Sequence, residues 1–290
     1  VMAAPTHPYT KKLLAAMPRF APKKEQESTE QSLLDVSHLE KHFQVRAGGV
    51  FGKSEVFKAV DDVSFRLFKG ETLGVVGESG CGKSTLARCL IGLYGADEGQ
   101  VVFNGQDVAS LKGRHLKNMR RQMQMVFQDP FSSLNPRMRI GESVGEGVRA
   151  HGLMPAKERE AFVKELLSDC GLPADSYNRF PHQFSGGQRQ RICIARALSL
   201  KPDLIIADEA VSALDVSVQK QILALLADLK DKYNLSYMFI SHDLRVVSEV
   251  ADRVLVMHQG KVVEQGHTAD VFGHPSHTYT QHLLASIPGV

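Results

Sequence analysis

The chain has 290 residues, 43% of them hydrophobic and 23% charged, with a formal net charge of +3. Such a composition is ordinary for a globular domain of this length, which buries roughly 75% of its unfolded surface without covalent staples. The charge is too small to argue for nucleic acid as a partner, and no run approaches the ~18 apolar residues that a membrane span needs.

The first segment has a counterpart at the far end. His7, Tyr9, Thr10, Leu13, Leu14, Ala15 and Pro18 return as His277, Tyr279, Thr280, Leu283, Leu284, Ala285 and Pro288, every pair 270 residues apart. A repeat at that distance is a whole domain rather than a solenoid unit. Residues 1–20 therefore read as the tail of a preceding copy of the same module. The alternative is a chance likeness of two amphipathic helices, against which the fixed register argues. Residues 21–32 are Pro, Lys, Glu, Gln and Ser without apolar periodicity and read as a linker. The module itself is expected over 33–290.

Leu33–Val45 alternates apolar and polar residues and predicts a strand, followed by a loop over 47–54 and a second strand over Val56–Phe68. The apolar run Thr72–Val76 then enters Gly77-Glu78-Ser79-Gly80-Cys81-Gly82-Lys83-Ser84-Thr85, with a helical pattern over Leu86–Leu93. This is the phosphate-loop pattern G-x-x-x-x-G-K-[ST] in its strand–loop–helix setting. The glycines permit backbone angles and close approach that a Cβ would forbid. The exposed N–H groups form an anion nest at a helix N-terminus. Lys83 supplies a point charge for terminal phosphates, and the Ser84 hydroxyl is placed to ligate Mg²⁺.

Val101–Phe103 with Asn104-Gly105 predicts a strand and turn, Leu111–Arg121 a basic helix and Gln122–Phe127 a strand. From Met138 to Phe180 the pattern is helical, with a start at Met154-Pro155, an apolar face of Ala161, Phe162, Leu166, Leu167 and Cys170, and a stop at Gly171. A helical subdomain is expected over about 138–185. Helices are predicted at Gly186–Leu200 and Ser217–Tyr233, and buried strands at Asp203–Ala207 and Ser236–Ile240. Short apolar runs alternating with helices imply an α/β fold with a mostly parallel sheet. The four cysteines, Cys81, Cys89, Cys170 and Cys193, have no C-x-x-C spacing and read as reduced thiols.

Asp208-Glu209 ends the strand Leu204–Ala207, at the sheet edge where ligands bind in such folds. Asp208 suits a Mg²⁺ site and Glu209 a base that orients an attacking water. Gln128 and His242 each follow a predicted strand, where they could reach a γ-phosphate or its water, or serve only as loop residues. Phe184-Ser185-Gly186-Gly187-Gln188 precedes a helix and forms a second anion site. One nucleotide does not need two such loops. The second would serve the nucleotide of another copy, which the tandem repeat supplies.

Together these motifs resemble the nucleotide-binding subunit of an ATP-binding-cassette (ABC) transporter. The phosphate loop matches Walker A, Asp208-Glu209 the end of Walker B, and Ser185-Gly186-Gly187-Gln188 the family signature, with Phe184 where Leu is usual. Gln128 falls at the Q-loop, Ser212-Ala213-Leu214-Asp215 at the D-loop and His242 at the switch histidine. The resemblance covers 33–290. It implies a RecA-like core with an antiparallel β subdomain and a helical subdomain. It also implies an ATP sandwich, each nucleotide lying between one Walker A and the other module's signature. By that resemblance Glu209, His242 and Gln128 are catalytic. Residues 77–85, Ser185, Gly186, Gly187, Gln188 and Asp215 contact nucleotide, and Ser84, Gln128 and Asp208 hold Mg²⁺. Phe43 sits where the family stacks an aromatic on adenine, or is an ordinary strand-core residue.

The His-x-Tyr-Thr-x-x-Leu-Leu tails (Pro8 at x in the first, Thr278 in the second, which runs from about 266), Gln128-Asp129-Pro130 with Ser133-Leu134-Asn135-Pro136, and the 47–54 loop resemble peptide importers. Among these the resemblance is nearest to the fused glutathione type. It implies two permease subunits, a periplasmic solute-binding protein and a second ATP-binding module as partners, at the cytoplasmic face of the inner membrane. Neither tail carries the cysteines of relatives with an iron–sulfur cluster, so none is expected. Ala210-Val211 departs from the usual Pro-Thr beside the base. ABC ATPases of DNA repair or translation are the alternative, but they carry coiled coils, zinc-binding insertions or basic arms that this chain lacks. A small-molecule kinase would not need the second loop.

Overall fold

The computed structural model describes residues 31–46 and 54–287. The repeated tail at 1–20, most of the linker and the 47–53 loop lie outside them. The chain divides into two compact units. One is Gln124–Leu235, and the other joins the described parts of Phe20–Met123 to those of Ser236–Val290.

The second unit contains two sheets. Strands β1 (Ser32–Arg46) and β2 (Ser54–Phe68) pair antiparallel, with Val36 opposite Phe65 and Phe43 opposite Phe57. With β4 (Glu98–Phe103) and the short β5 (Gln106–Asp107) they take the order β2-β1-β4-β5. The turn from β4 to β5 is Asn104-Gly105, both at positive φ, as a tight two-residue hairpin turn demands.

The other sheet places β3 (Thr72–Val76) between β8 (Ser236–Ile240) and β9 (Arg253–His258), parallel to both. β10 (Lys261–His267) runs antiparallel along β9. Every residue of β3 and β8 is buried, which is why both read as unbroken apolar runs rather than alternating ones. A short helix at Leu244–Val250 lies directly on β3. A Cβ on Gly74 would come within 2.4 Å of the Val247 side chain. Strand ends are tied across the unit: Thr72 N–H donates to the Asp252 carboxylate at 2.8 Å, and Ser241 N–H to Val75 C=O at 3.1 Å.

The β9–β10 hairpin has no counterpart in the sequence reading. Its signal is present, an apolar Val254–Met257 run before Gln259-Gly260, and both turn residues have positive φ. The helix after the phosphate loop, α1, spans Lys83–Leu90 rather than Leu86–Leu93. It stops before Gly92, whose φ of 66° takes the chain out of the helix.

The first unit holds α3 (Ile140–Ala150), α4 (Ala156–Asp169), α5 (Gly186–Leu198) and α6 (Val216–Tyr233), with α2 (Gly113–Gln122) belonging to the other unit. It also carries β7 (Leu204–Asp208), wholly buried and next to β6 (Met123–Val126). On α4 the predicted face holds at Leu166, Leu167 and Cys170 and fails at Ala161. Val163, Leu166, Leu167 and Cys170 are buried, Phe162 is half-buried and Ala161 is exposed. Positions 163, 166, 167 and 170 follow the i, i+3, i+4, i+7 stripe, which Ala161 misses. The four cysteines are free and buried, and burial pushes the Cys170 thiol up to about 12.

On α3, a Cβ at Gly141 would meet three ring carbons of Tyr177 at 2.4–2.6 Å. Gly141→Ala gains up to about 1 kcal/mol of helix propensity. Overpacking against the ring costs about 1–3 kcal/mol, so the expected net effect is destabilising. A denaturant midpoint equal to or above the wild-type value would contradict this packing.

Candidate functional site

In the unit that carries β3, the phosphate loop is fixed by what surrounds it. Gly77 and Gly82 have φ of 149° and 108°. A Cβ at Gly77 would stand 2.2 Å from the Met257 carbonyl oxygen, and one at Gly82 would stand 2.0 Å from that of Ala59. The close approach these glycines allow is therefore to the protein's own backbone. Gly80 differs: its φ is 84°, but nothing lies within 4 Å of an added Cβ. The hairpin turn adds a strut, Gly260 N–H donating to Cys81 C=O at 3.0 Å.

Lys83 is buried. Its ammonium donates to the Gly77 and Glu78 carbonyls at 2.7 and 2.8 Å, which holds the charge against the start of its own loop. The Cys81 sulfur lies 3.7 Å from it, and burial raises that thiol's pKa. Ser84 and Thr85 follow in the first turn of α1 and are half-buried, while Glu78 and Ser79 are exposed. His242 is exposed in the link between β8 and the helix at 244–250, next to Asp243, which caps that helix. Phe43 is half-buried rather than core. Its ring meets Tyr94 edge-on at 5.6 Å, and the Lys41 ammonium lies 5.6 Å from the ring centre.

The other unit brings Gln128 and Glu209 together. The Gln128 amide donates to the Glu209 carboxylate at 3.1 Å. Glu209 has a φ of 49°, in the left-handed region that residues with a Cβ rarely adopt. Its carbonyl accepts from Ser212 N–H at 3.1 Å and the Ser212 hydroxyl at 2.9 Å, which closes the turn. Ala210 and Val211, the departure from Pro-Thr, are buried beneath that turn. Asp208 ends β7 and is 4% exposed.

Ser185 caps α5 in a reciprocal box. Its hydroxyl accepts from Gln188 N–H, and its own N–H donates to the Gln188 side chain at 3.0 Å. Gly186 and Gly187 begin the helix with ordinary φ. At Gly187 the reason for glycine is packing, since a Cβ would stand 2.4 Å from the Val218 side chain on α6. Phe184 is buried, with the Arg179 guanidinium 4.5 Å from its ring centre. Asp215 caps α6, accepting from the Ser217 hydroxyl and from Ser217 and Val218 N–H. The Ser217 hydroxyl and Val218 N–H hold its carboxyl below the usual range. Sequence reasoning missed the residues that shape the phosphate loop from outside: Ala59, Met257, Gly260 and Tyr279. Each acts through a backbone group or a long-range contact that no local pattern encodes.

Comparison with known proteins gives matches over both the loop-bearing and terminal segments. Residues 60–212 match the family described as ABC transporter. Residues 1–49 and 263–290 match the oligopeptide/dipeptide transporter C-terminal region. The oligopeptide transport ATP-binding protein AppF of Bacillus subtilis (strain 168) is 50% identical over 90% of this chain and 80% of its own length. The glutathione import ATP-binding protein GsiA of Escherichia coli (strain K12) is 45% identical over 99% of this chain. The chain spans about half the length of that relative (50%). Among solved structures, cbiO1 from Clostridium perfringens, part of the ABC transporter complex cbiONQ, superposes with a TM-score of 0.72 at 25% identity, covering 84% of this chain and 92% of that one. The ATP-binding cassette MJ0796, a dimer bound to ADP and Pi, gives 0.71 at 28% identity, covering 81% and 98%.

The loop geometry separates its glycines by what each substitution must displace. Gly80→Ala is expected to cost only the ~1–2 kcal/mol of a left-handed residue with a Cβ. Gly77→Ala and Gly82→Ala must move a backbone carbonyl and should destabilise more. Thermal unfolding of the three variants checks the order, and a Gly80 variant less stable than the Gly82 variant would refute it.

Proposed function

From a chain that belongs to the ABC transporter family and carries the oligopeptide/dipeptide transporter C-terminal region, we infer an ATP-binding and ATP-hydrolysing subunit that drives import of peptides through a membrane permease. One observation carries the reading: the phosphate loop at 77–85 is held in shape by its own backbone neighbours, with the Lys83 ammonium bonded to its first two carbonyls. The non-transport alternative finds no support, since the relatives above are import or transport ATP-binding proteins by name.

The proposed roles follow the family resemblance, each with a chemical reason. N–H groups of the loop and of the first turn of α1 bind phosphates, and Lys83 neutralises their charge. Glu209 is the general base for the attacking water, and Gln128, bonded to its carboxylate, orients it. His242, Asp215 and the Ser185–Gln188 loop contact the γ-phosphate side of a nucleotide, and Phe43 the base. Mg²⁺ suits the available donors. Ser84, Gln128 and Asp208, the residues the family resemblance names for it, carry the hard oxygens that Mg²⁺ takes alongside substrate phosphates. When bound, the ion would supply charge neutralisation for the transferring phosphoryl group.

We also propose that residues 1–20 end a preceding module, that 21–32 link it to the 33–290 module, and that the two modules form the ATP sandwich. The match of both 1–49 and 263–290 to one C-terminal region supports this. Two permease subunits, a solute-binding protein and a cytoplasmic-face location complete the reading, with the helical segment from about 138 to 180 meeting the permease. No described helix is long and apolar enough to cross a membrane. Glutathione is one candidate cargo within the peptide class.

Glu209→Gln should retain ATP binding and lose about 10²–10⁴-fold in turnover. Phosphate release at the wild-type rate would remove Glu209 from the mechanism. The same variant should sediment as a dimer with Mg-ATP and as a monomer without it. A monomer under both conditions would mean that this module pairs only with its natural partner.

A further inference from the structure

The C-terminal tail reaches the phosphate loop. Glu78 N–H, at the second position of the loop, donates to the Tyr279 hydroxyl at 3.1 Å, although the two residues are 201 apart in sequence. The Tyr279 ring stacks on His258, centroids 3.9 Å apart and planes 24° from parallel. His258 ends β9 and follows Met257, whose carbonyl oxygen occupies the place a Cβ at residue 77 would take. The start of the loop is thus flanked by the β9 end on one side and fastened by a tail side chain.

The tail is itself anchored. The Glu264 carboxylate on β10 accepts from Ser276 N–H and the Ser276 hydroxyl, both at 2.8 Å, and from His277 N–H at 3.1 Å. His277 Nδ1 accepts from Tyr279 N–H at 3.1 Å and so begins the helix Thr278–Ala285. Leu283 and Leu284 are buried on that helix. One β-hairpin therefore carries three things: the strut from Gly260 to Cys81, the His258 platform, and the Glu264 anchor of the tail.

We propose that Tyr279 is a positioning residue for nucleotide binding: it holds the phosphate loop in its binding shape, so that tail docking and ATP binding favour each other. The proposal rests on the ATP-binding reading above. The Tyr279 hydroxyl meets the loop at the Glu78 N–H. It acts on the loop backbone, and by linkage any gain in ATP affinity from the docked tail returns as tighter docking when ATP is bound. The tail motif would then be part of the nucleotide site's scaffold, and a partner that captured the tail would weaken ATP binding.

The test uses the whole chain. Tyr279→Phe removes only the hydroxyl, and the loss of one net hydrogen bond predicts roughly two- to tenfold weaker ATP binding by calorimetry. The KM for ATP should rise with kcat at saturation unchanged, a split that general destabilisation does not produce. In the wild type, Mg-ATP should slow backbone hydrogen exchange across Thr278–Ala285, and in Tyr279→Phe that protection should shrink. Unchanged ATP affinity in the variant, or wild-type tail exchange indifferent to ATP, overturns the proposal. A wild-type chain that binds no ATP would instead overturn the ATP-binding reading itself.

Discussion

The structure turns on two carbonyl oxygens. Those of Met257 and Ala59 occupy the places where side chains of residues 77 and 82 would begin. A phosphate nest works only if its N–H groups converge before the anion arrives, because a loop that must order itself on binding loses affinity to conformational entropy. Here the convergence is built in by packing. Ala59 lies on β2 and Met257 on β9, so both sheets of one unit contribute to the shape of a nine-residue loop. The hydrogen bond from Gly260 to Cys81 and that from Glu78 to Tyr279 fix the loop at two further points.

A second local constraint stands at Glu209. A glutamate at a φ of 49° is strained, a cost of order 1–3 kcal/mol that persists only where surrounding contacts over-determine it. Two bonds from Ser212 to the Glu209 carbonyl and the burial of Ala210 and Val211 provide those contacts. The effect is to turn the chain sharply at the end of β7, where Gln128 can hold the carboxylate.

Much of this was legible in the sequence. The phosphate loop, the acid pair, the second glycine loop and most strands and helices carry local patterns, because each depends on periodicity or on glycine at fixed offsets. What escaped was set by distance. The reason for glycine at 187 is Val218, and the reason at 82 is Ala59, neither visible from the motif that contains the glycine. On α4 only the edge of the face differs: Ala161 is apolar but sits off the stripe, while Val163 sits on it. Tyr279 reads as one residue of a tail motif, and only the fold brings it to residue 78. The β9–β10 hairpin was recoverable from Gln259-Gly260, a turn signal easily passed over between two short apolar runs.

The account stands on a preformed phosphate cradle that binds ATP. Its most direct test is calorimetric titration of the purified chain with Mg-ATP, wild type beside Lys83→Ala. The account predicts saturable binding of one ATP per chain in the wild type and loss of most of that affinity in the variant, whose loop keeps its glycines but not its charge. Equal affinity in the two proteins, or no binding by the wild type, would contradict it.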